Sequence, residues 1–180
     1  ELFRIPKVAD MPSITPPIAE KNDPNYKPYR RDDKTLARKW AIPGTQGLEH
    51  RVGGLEKSDV FGAVSTDPNN HEKMVYFRNE KVQRVADYLP NQEVIGDESG
   101  DLLVVSWGGT KGQTYVAVKE LQKQGKKVSL AHFKYIMPLP KNTADIFAKF
   151  KKIVVCELND GQFADYLRIV YPKFVYHKYN

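Results

Sequence analysis

Residues 101–112, Asp-Leu-Leu-Val-Val-Ser-Trp-Gly-Gly-Thr-Lys-Gly, decide how the chain is read. Leu102, Leu103, Val104 and Val105 form an unbroken apolar run, the mark of a strand buried on both faces rather than one. Gly108, Gly109 and Thr110 make a tight turn directly after it. A helical pattern then runs from Thr110 to Lys123, with Tyr115, Val118 and Leu121 expected to point inward and Gly125 as its stop. Strand, turn and helix in that order are the opening unit of a parallel α/β domain.

Downstream the pattern repeats. Strands are predicted at 128–136 and 153–157, with a fourth, edge strand at 174–176. Between them Asn142 is placed to cap a short helix burying Ile146, Phe147 and Phe150. Lys149, Lys151 and Lys152 suit that helix's negative C-terminal end. Asn159 or Asp160 caps a further helix carrying Phe163, Leu167 and Val170, which Pro172 ends. Strands alternating with helices predict an α/β fold: a three-layer, doubly wound, mostly parallel sheet. Its carboxyl edge, where such sheets bind ligands, falls at 107–109, 136–138 and 157–161.

Upstream, residues 67–91 read as a bridging helix and residues 1–66 as an irregular arm and loop; the α/β domain takes 92–180. Asp67 and Pro68 start the helix well, and Pro90 stops it. Its buried stripe is expected to be Val75, Val82, Val85, Ala86 and Leu89, with Met74 beside it; His71 is expected to be exposed. The first 45 residues hold seven of the twelve prolines, which forbids a continuous helix or a central strand there. The arm is expected to be extended or poorly ordered on its own. Leu2, Phe3, Ile5, Ile14, Ile18, Trp40 and Ile42 suit either an arm draped over a neighbour or a mere linker.

Two places carry functional readings. The loop at 42–56 holds Gly44, Gly47, Gly53 and Gly54 around Glu49, His50 and Arg51. An acid, an imidazole and a guanidinium so placed are candidates to lie beside an anionic substrate, or else to pair with one another. The turn Gly108, Gly109, Thr110 is a candidate phosphate turn or simply a tight turn. Its Gly-Gly-Thr-Lys-Gly fits neither the dinucleotide fingerprint nor the Walker spacing. No catalytic residue and no metal site is assigned. Cys156, the single cysteine, reads as a core residue; it cannot form an internal disulfide or supply an iron–sulfur cluster alone.

Bulk properties narrow the classes. The chain has 180 residues, 41% hydrophobic and 28% charged, with net charge +6. Its basic residues are dispersed, so nucleic acid is not the expected partner. No apolar run approaches the ~20 residues of a membrane span. Glu1 opens the chain without a methionine or a secretory signal, as an excised fragment would. A reducing, cytoplasmic compartment is expected.

Taken together, 42–56 (IPGTQGLEHRVGGLE), 67–74 (DPNNHEKM), 101–112 (DLLVVSWGGTKG), 134–142 (KYIMPLPKN) and 152–168 (KIVVCELNDGQFADYLR) resemble, in order and spacing, the C-terminal region of the alpha subunit of 2-oxoacid:ferredoxin oxidoreductases, the 2-oxoglutarate type above all. The family often has serine where Gly109 stands and proline where Cys156 stands. The resemblance implies a transketolase C-terminal-like domain. It also implies a holoenzyme that decarboxylates a 2-oxoacid to an acyl-coenzyme A with thiamine diphosphate, Mg²⁺ and an iron–sulfur cluster, passing electrons to ferredoxin. This fragment would bind none of those cofactors itself. Its partners would be the rest of the alpha subunit and the beta subunit. The alternative is a stand-alone α/β nucleotide- or phosphate-binding module.

Overall fold

Four strands form one sheet: β1 (Gly100–Trp107), β2 (Val128–Phe133), β3 (Phe150–Cys156) and β4 (Tyr176–Tyr179). Their order is β2-β1-β3-β4 and every pairing is parallel, with Val105 opposite Ala131 on one side and Val155 on the other. They belong to a computed structural model that describes residues 4–180. The chain divides between Lys81 and Val82 into two compact units, the sheet lying in the second.

A strand's side chains alternate between faces, and each face here meets its own helix layer. Leu103, Val105, Ala131, Phe133, Ile153 and Val155 are buried on one face with α3 (Thr143–Ala148) and α4 (Gln162–Val170). Phe147 is the hub of that layer: it is fully buried and meets Phe133, Tyr171, Phe174 and Tyr176, three of the four edge-to-face. On the other face Val104, Val128 and Leu130 pack with Val118 of α2 (Lys111–Lys123). The three-layer, doubly wound arrangement expected from the alternating pattern is present.

Several local expectations are corrected. On α2 the inward positions are Thr114 and Val118, with Leu121 half-buried, while Tyr115 is exposed; Thr114 sits one turn before Val118, where a 3.6-residue period requires the stripe to continue. β2 stops at Phe133, and β3 begins at Phe150, so Phe150, Lys151 and Lys152 are strand rather than helix. Asn142 does not cap α3 with its side chain. Its carboxamide instead pairs both ways with the backbone of Gln92, accepting from N at 2.8 Å and donating to O at 2.9 Å. The edge strand starts two residues later than predicted, at Tyr176.

α1 (Pro68–Gln83) begins where Asp67 and Pro68 place it, with Asp67 Oδ1 accepting from Asn69 N at 3.0 Å. A 3-10 turn follows over Arg84–Tyr88. The predicted apolar stripe does not face inward. Val75, Val82 and Val85 are exposed and Met74 is the buried residue of α1, because the face the period defines is not covered within this chain.

The arm is not plainly extended. It folds on itself through isolated bridges, Ile18 with Trp40, Tyr29 with Val60, Arg31 with Arg38 and Lys57 with Val64. Asx turns help: Asp32 Oδ1 accepts from the backbone of Lys34 and Thr35 at 3.1 and 2.7 Å. Ile5, Ile14, Ile18, Trp40 and Ile42 stay exposed; Leu2 and Phe3 lie outside the described residues.

Candidate functional site

In the order β2-β1-β3-β4 the chain winds one way from β1 to β2 and the other way from β3 to β4. The crevice between the carboxyl ends of β1 and β3 is therefore the switch point, the usual ligand position on such a sheet. Here it is filled from within. Glu157, directly after β3, is 3% exposed. Its Oε2 accepts from Trp107 Nε1 at 3.2 Å and from Phe163 N at 2.9 Å, while Oε1 accepts from Ala164 N at 3.0 Å. The carboxylate thus occupies the N-terminus of α4, where an anionic ligand would otherwise find free amides. Asn159 supplies the outer part of the same terminus, accepting from Gly161 N and Gln162 N at 2.8 and 3.0 Å.

The neighbouring turn is tied down by its own hydrogen bonds. Gly108–Thr110 is a 3-10 turn, and Gly108 has φ +59°, a left-handed value suited to glycine. The Thr110 hydroxyl donates back to Trp107 O at 2.7 Å, and Thr114 Oγ1 donates to Thr110 O at 2.8 Å. No side-chain cap covers the start of α2.

Beside β2 a second polar group was not legible beforehand. Ser106 is fully buried and its Oγ lies 2.8 Å from His132 Nδ1 and 3.1 Å from Thr114 Oγ1. His132 lines a cavity of about 130 Å³ with Lys111 and Lys134. Burial first, then these two ammonium groups, push the imidazole's pKa below its ordinary value. A buried serine held by two partners is not a nucleophile presented to solvent, so the trio reads as a linkage between strands and helix.

Cys156 is half-buried against the α2 side of the sheet, and burial pushes its thiol pKa up, away from a reactive thiolate.

In the other unit, Glu49, His50 and Arg51 are all exposed. His50 Nδ1 lies 2.8 Å from Leu48 O, and its ring lies 6.1 Å from that of Tyr26. The three charges do not pair with one another. The residue that organises the glycine loop is one the sequence did not single out. Lys57 is 2% exposed, and its Nζ donates to Gly53 O at 2.9 Å and to Leu55 O.

Among the described residues no group of three or more His, Cys, Asp or Glu is placed to hold a metal ion. With a single cysteine, the side chains present do not fit an iron–sulfur cluster ligated by four cysteines.

Residues 100–172 match the family model of pyruvate:ferredoxin oxidoreductase core domain II. The chain is 42% identical over 170 residues to the 2-oxoglutarate oxidoreductase subunit KorA of Mycobacterium tuberculosis, which covers 93% of this chain and 25% of that protein. The chain is a homologue of 2-oxoacid:ferredoxin oxidoreductase alpha subunits. An alpha subunit of this family from Aeropyrum pernix is 27% identical over 161 residues, covering 86% of the chain and 24% of the relative. A solved structure, the 2-oxoglutarate:ferredoxin oxidoreductase from Magnetococcus marinus with 2-oxoglutarate, coenzyme A and succinyl-CoA bound, superposes with a TM-score of 0.82 at 30% identity. That match takes in 96% of this chain and 30% of the solved one. The chain therefore spans about a quarter of the length of its curated oxidoreductase relatives. Its three-layer unit is the transketolase C-terminal-like domain the resemblance implied. No helix among the described residues is long and apolar enough to cross a membrane.

Proposed function

We propose that this chain is a non-catalytic, C-terminal domain of the alpha subunit of a 2-oxoglutarate:ferredoxin oxidoreductase, with a scaffolding and subunit-interface role. The observation that carries the reading is the filled switch point. Trp107, Glu157 and the start of α4 satisfy one another, so the usual ligand position of the sheet is used for structure. The holoenzyme would carry out thiamine-dependent oxidative decarboxylation to an acyl-coenzyme A. Thiamine diphosphate, Mg²⁺ and the iron–sulfur cluster would be held by other domains or by the beta subunit, and ferredoxin would take the electrons. The compartment that suits this chemistry is the cytoplasm.

The interface role rests on what stays uncovered. Val75 and Tyr76 of α1, and Ile14, Trp40, Val52 and Phe61 of the arm, are exposed at 46%, 56%, 83%, 65%, 87% and 68%. Large apolar side chains left open on the arm and α1 support a surface for another domain or subunit to cover. Glu49, His50 and Arg51 are the residues of this chain proposed to approach the substrate or coenzyme A.

The test is an activity assay on the chain alone, supplied with 2-oxoglutarate, thiamine diphosphate, Mg²⁺, coenzyme A and an electron acceptor. The expected result is no carbon dioxide release, with turnover only when the remaining subunit regions are added. Decarboxylation by the isolated chain would overturn the proposal.

A further inference from the structure

The first unit contains a cleft of about 420 Å³, lined by arm and α1 residues, whose charged groups are mostly cationic. Five cationic side chains and one carboxylate line it. Arg31 is already matched, since its Nη1 bonds Asp59 Oδ1 at 2.8 Å. The carboxylate, Glu56, lies 2.9 Å from His71 Nδ1 and 3.7 Å from Arg78 Nη2. That leaves Arg38, Lys57, Lys81 and a loosely held Arg78 facing a single acid.

Lys57 is the decisive member. A buried ammonium is costly unless an opposite charge compensates it. Lys57 is 2% exposed, and both its acceptors are neutral backbone carbonyls. Among the described residues no carboxylate lies within ion-pair distance of it. Beside it, Gly53 and Gly54 have open space where a Cβ would project, so a ligand can approach their backbone closely. Arg38 is pre-oriented by stacking on Tyr29 at 4.2 Å. Arg78 and Lys81 project from neighbouring turns of α1.

We infer that this cleft binds a small molecule carrying two or more phosphate charges. Planar guanidinium groups match phosphate oxygens in a bidentate fork, and two of them stand here with two ammonium groups. The volume falls in the range of small-ligand sites rather than flat protein contacts. The site is independent of the oxidoreductase reading, and none of its cationic residues belongs to the 49–51 loop segment or to the turn at Gly108–Thr110.

The test is isothermal titration of the chain with inorganic pyrophosphate and with ADP, using citrate as a carboxylate of similar charge. Amide NMR shifts localise the binding. The expected result is saturable binding of pyrophosphate, tighter than citrate, with shifts centred on Gly53, Gly54 and Leu55. Tighter binding of ADP than of pyrophosphate would assign the site to a nucleotide-borne phosphate, and the reverse order to a free one. Lys57→Met is expected to abolish binding. Because that variant removes a buried anchor, Arg78→Ala/Lys81→Ala on the exposed side of the cleft is the companion, expected to weaken binding by about tenfold or more with the fold unchanged. No binding at low salt, equal affinity for citrate, shifts at Gly108–Thr110 instead, or an unchanged affinity in the double variant would each overturn the inference.

Discussion

The sheet unit and the arm are held together by different physics. In the sheet unit, Leu103–Val105 is buried on both faces and Ile153 and Val155 are buried beside it, and each fully buried Val, Leu or Phe contributes about 1.5–3 kcal/mol. In the first unit, arm and α1 together, Ala19, Leu36, Leu48 and Met74 are the buried apolar residues, and polar contacts take over. Arg31 joins Asp59, Tyr29 O and Met74 Sδ, and lies 4.6 Å over the Phe77 ring. The arm also holds the described residues that are left-handed without being glycine: Asn22, Leu36 and Val60, at φ +58°, +56° and +66°. For a β-branched residue such as Val60 that conformation is strained. One unit is thus built on an apolar core; the other is held by polar contacts and carries left-handed backbone strain.

This contrast can be broken from either side. The largest effect is expected in the core. Phe147→Ala should cost about 3–5 kcal/mol of stability, read by urea unfolding of the sheet unit, because four ring contacts and the packing around them are lost at a fully buried site. A loss under ~1 kcal/mol would mean that the layer is not centred there. Arg31→Ala should cost about 1–3 kcal/mol, and only in the arm. Native-state amide exchange at Tyr29 and Ser58 should quicken, while Val104 and Leu130 keep their protection. Equal loosening of both would contradict the division of labour. The smallest effect is a gain: Val60→Gly relieves the left-handed strain but adds unfolded-state entropy, for a net stabilisation of about 0.5 kcal/mol, seen as slower exchange around Tyr29, whose N donates to Val60 O.

The same contrast explains what the sequence made legible. Strands buried on both faces announce themselves as apolar runs, so the sheet, its parallel order and its two helix layers could be read directly. The glycines flagged a loop that needs unusual backbone, and one it is. What stayed hidden depends on partners distant in sequence. Nothing local distinguishes Glu157 from a surface glutamate; its role appears only when Trp107, 50 residues earlier, is brought beside it. Lys57 looks like any solvated lysine until the loop folds over it. Asn142 had the right chemistry for a cap, but Gln92 offered it two bonds in place of one. The stripe on α1 misled because periodicity shows which residues share a face, and not whether that face is covered within this chain.

We propose that this region serves structure and not chemistry, with Glu157 as the plug of the sheet's ligand position. It is tested most directly by Glu157→Gln in the complete enzyme, following kcat per folded molecule and the thermal midpoint together. The account predicts a lowered midpoint, as the charge-assisted bonds to Trp107, Phe163 and Ala164 weaken, with kcat within about twofold of the parent. A collapse of kcat with the midpoint unchanged would contradict it and place the carboxylate in the reaction.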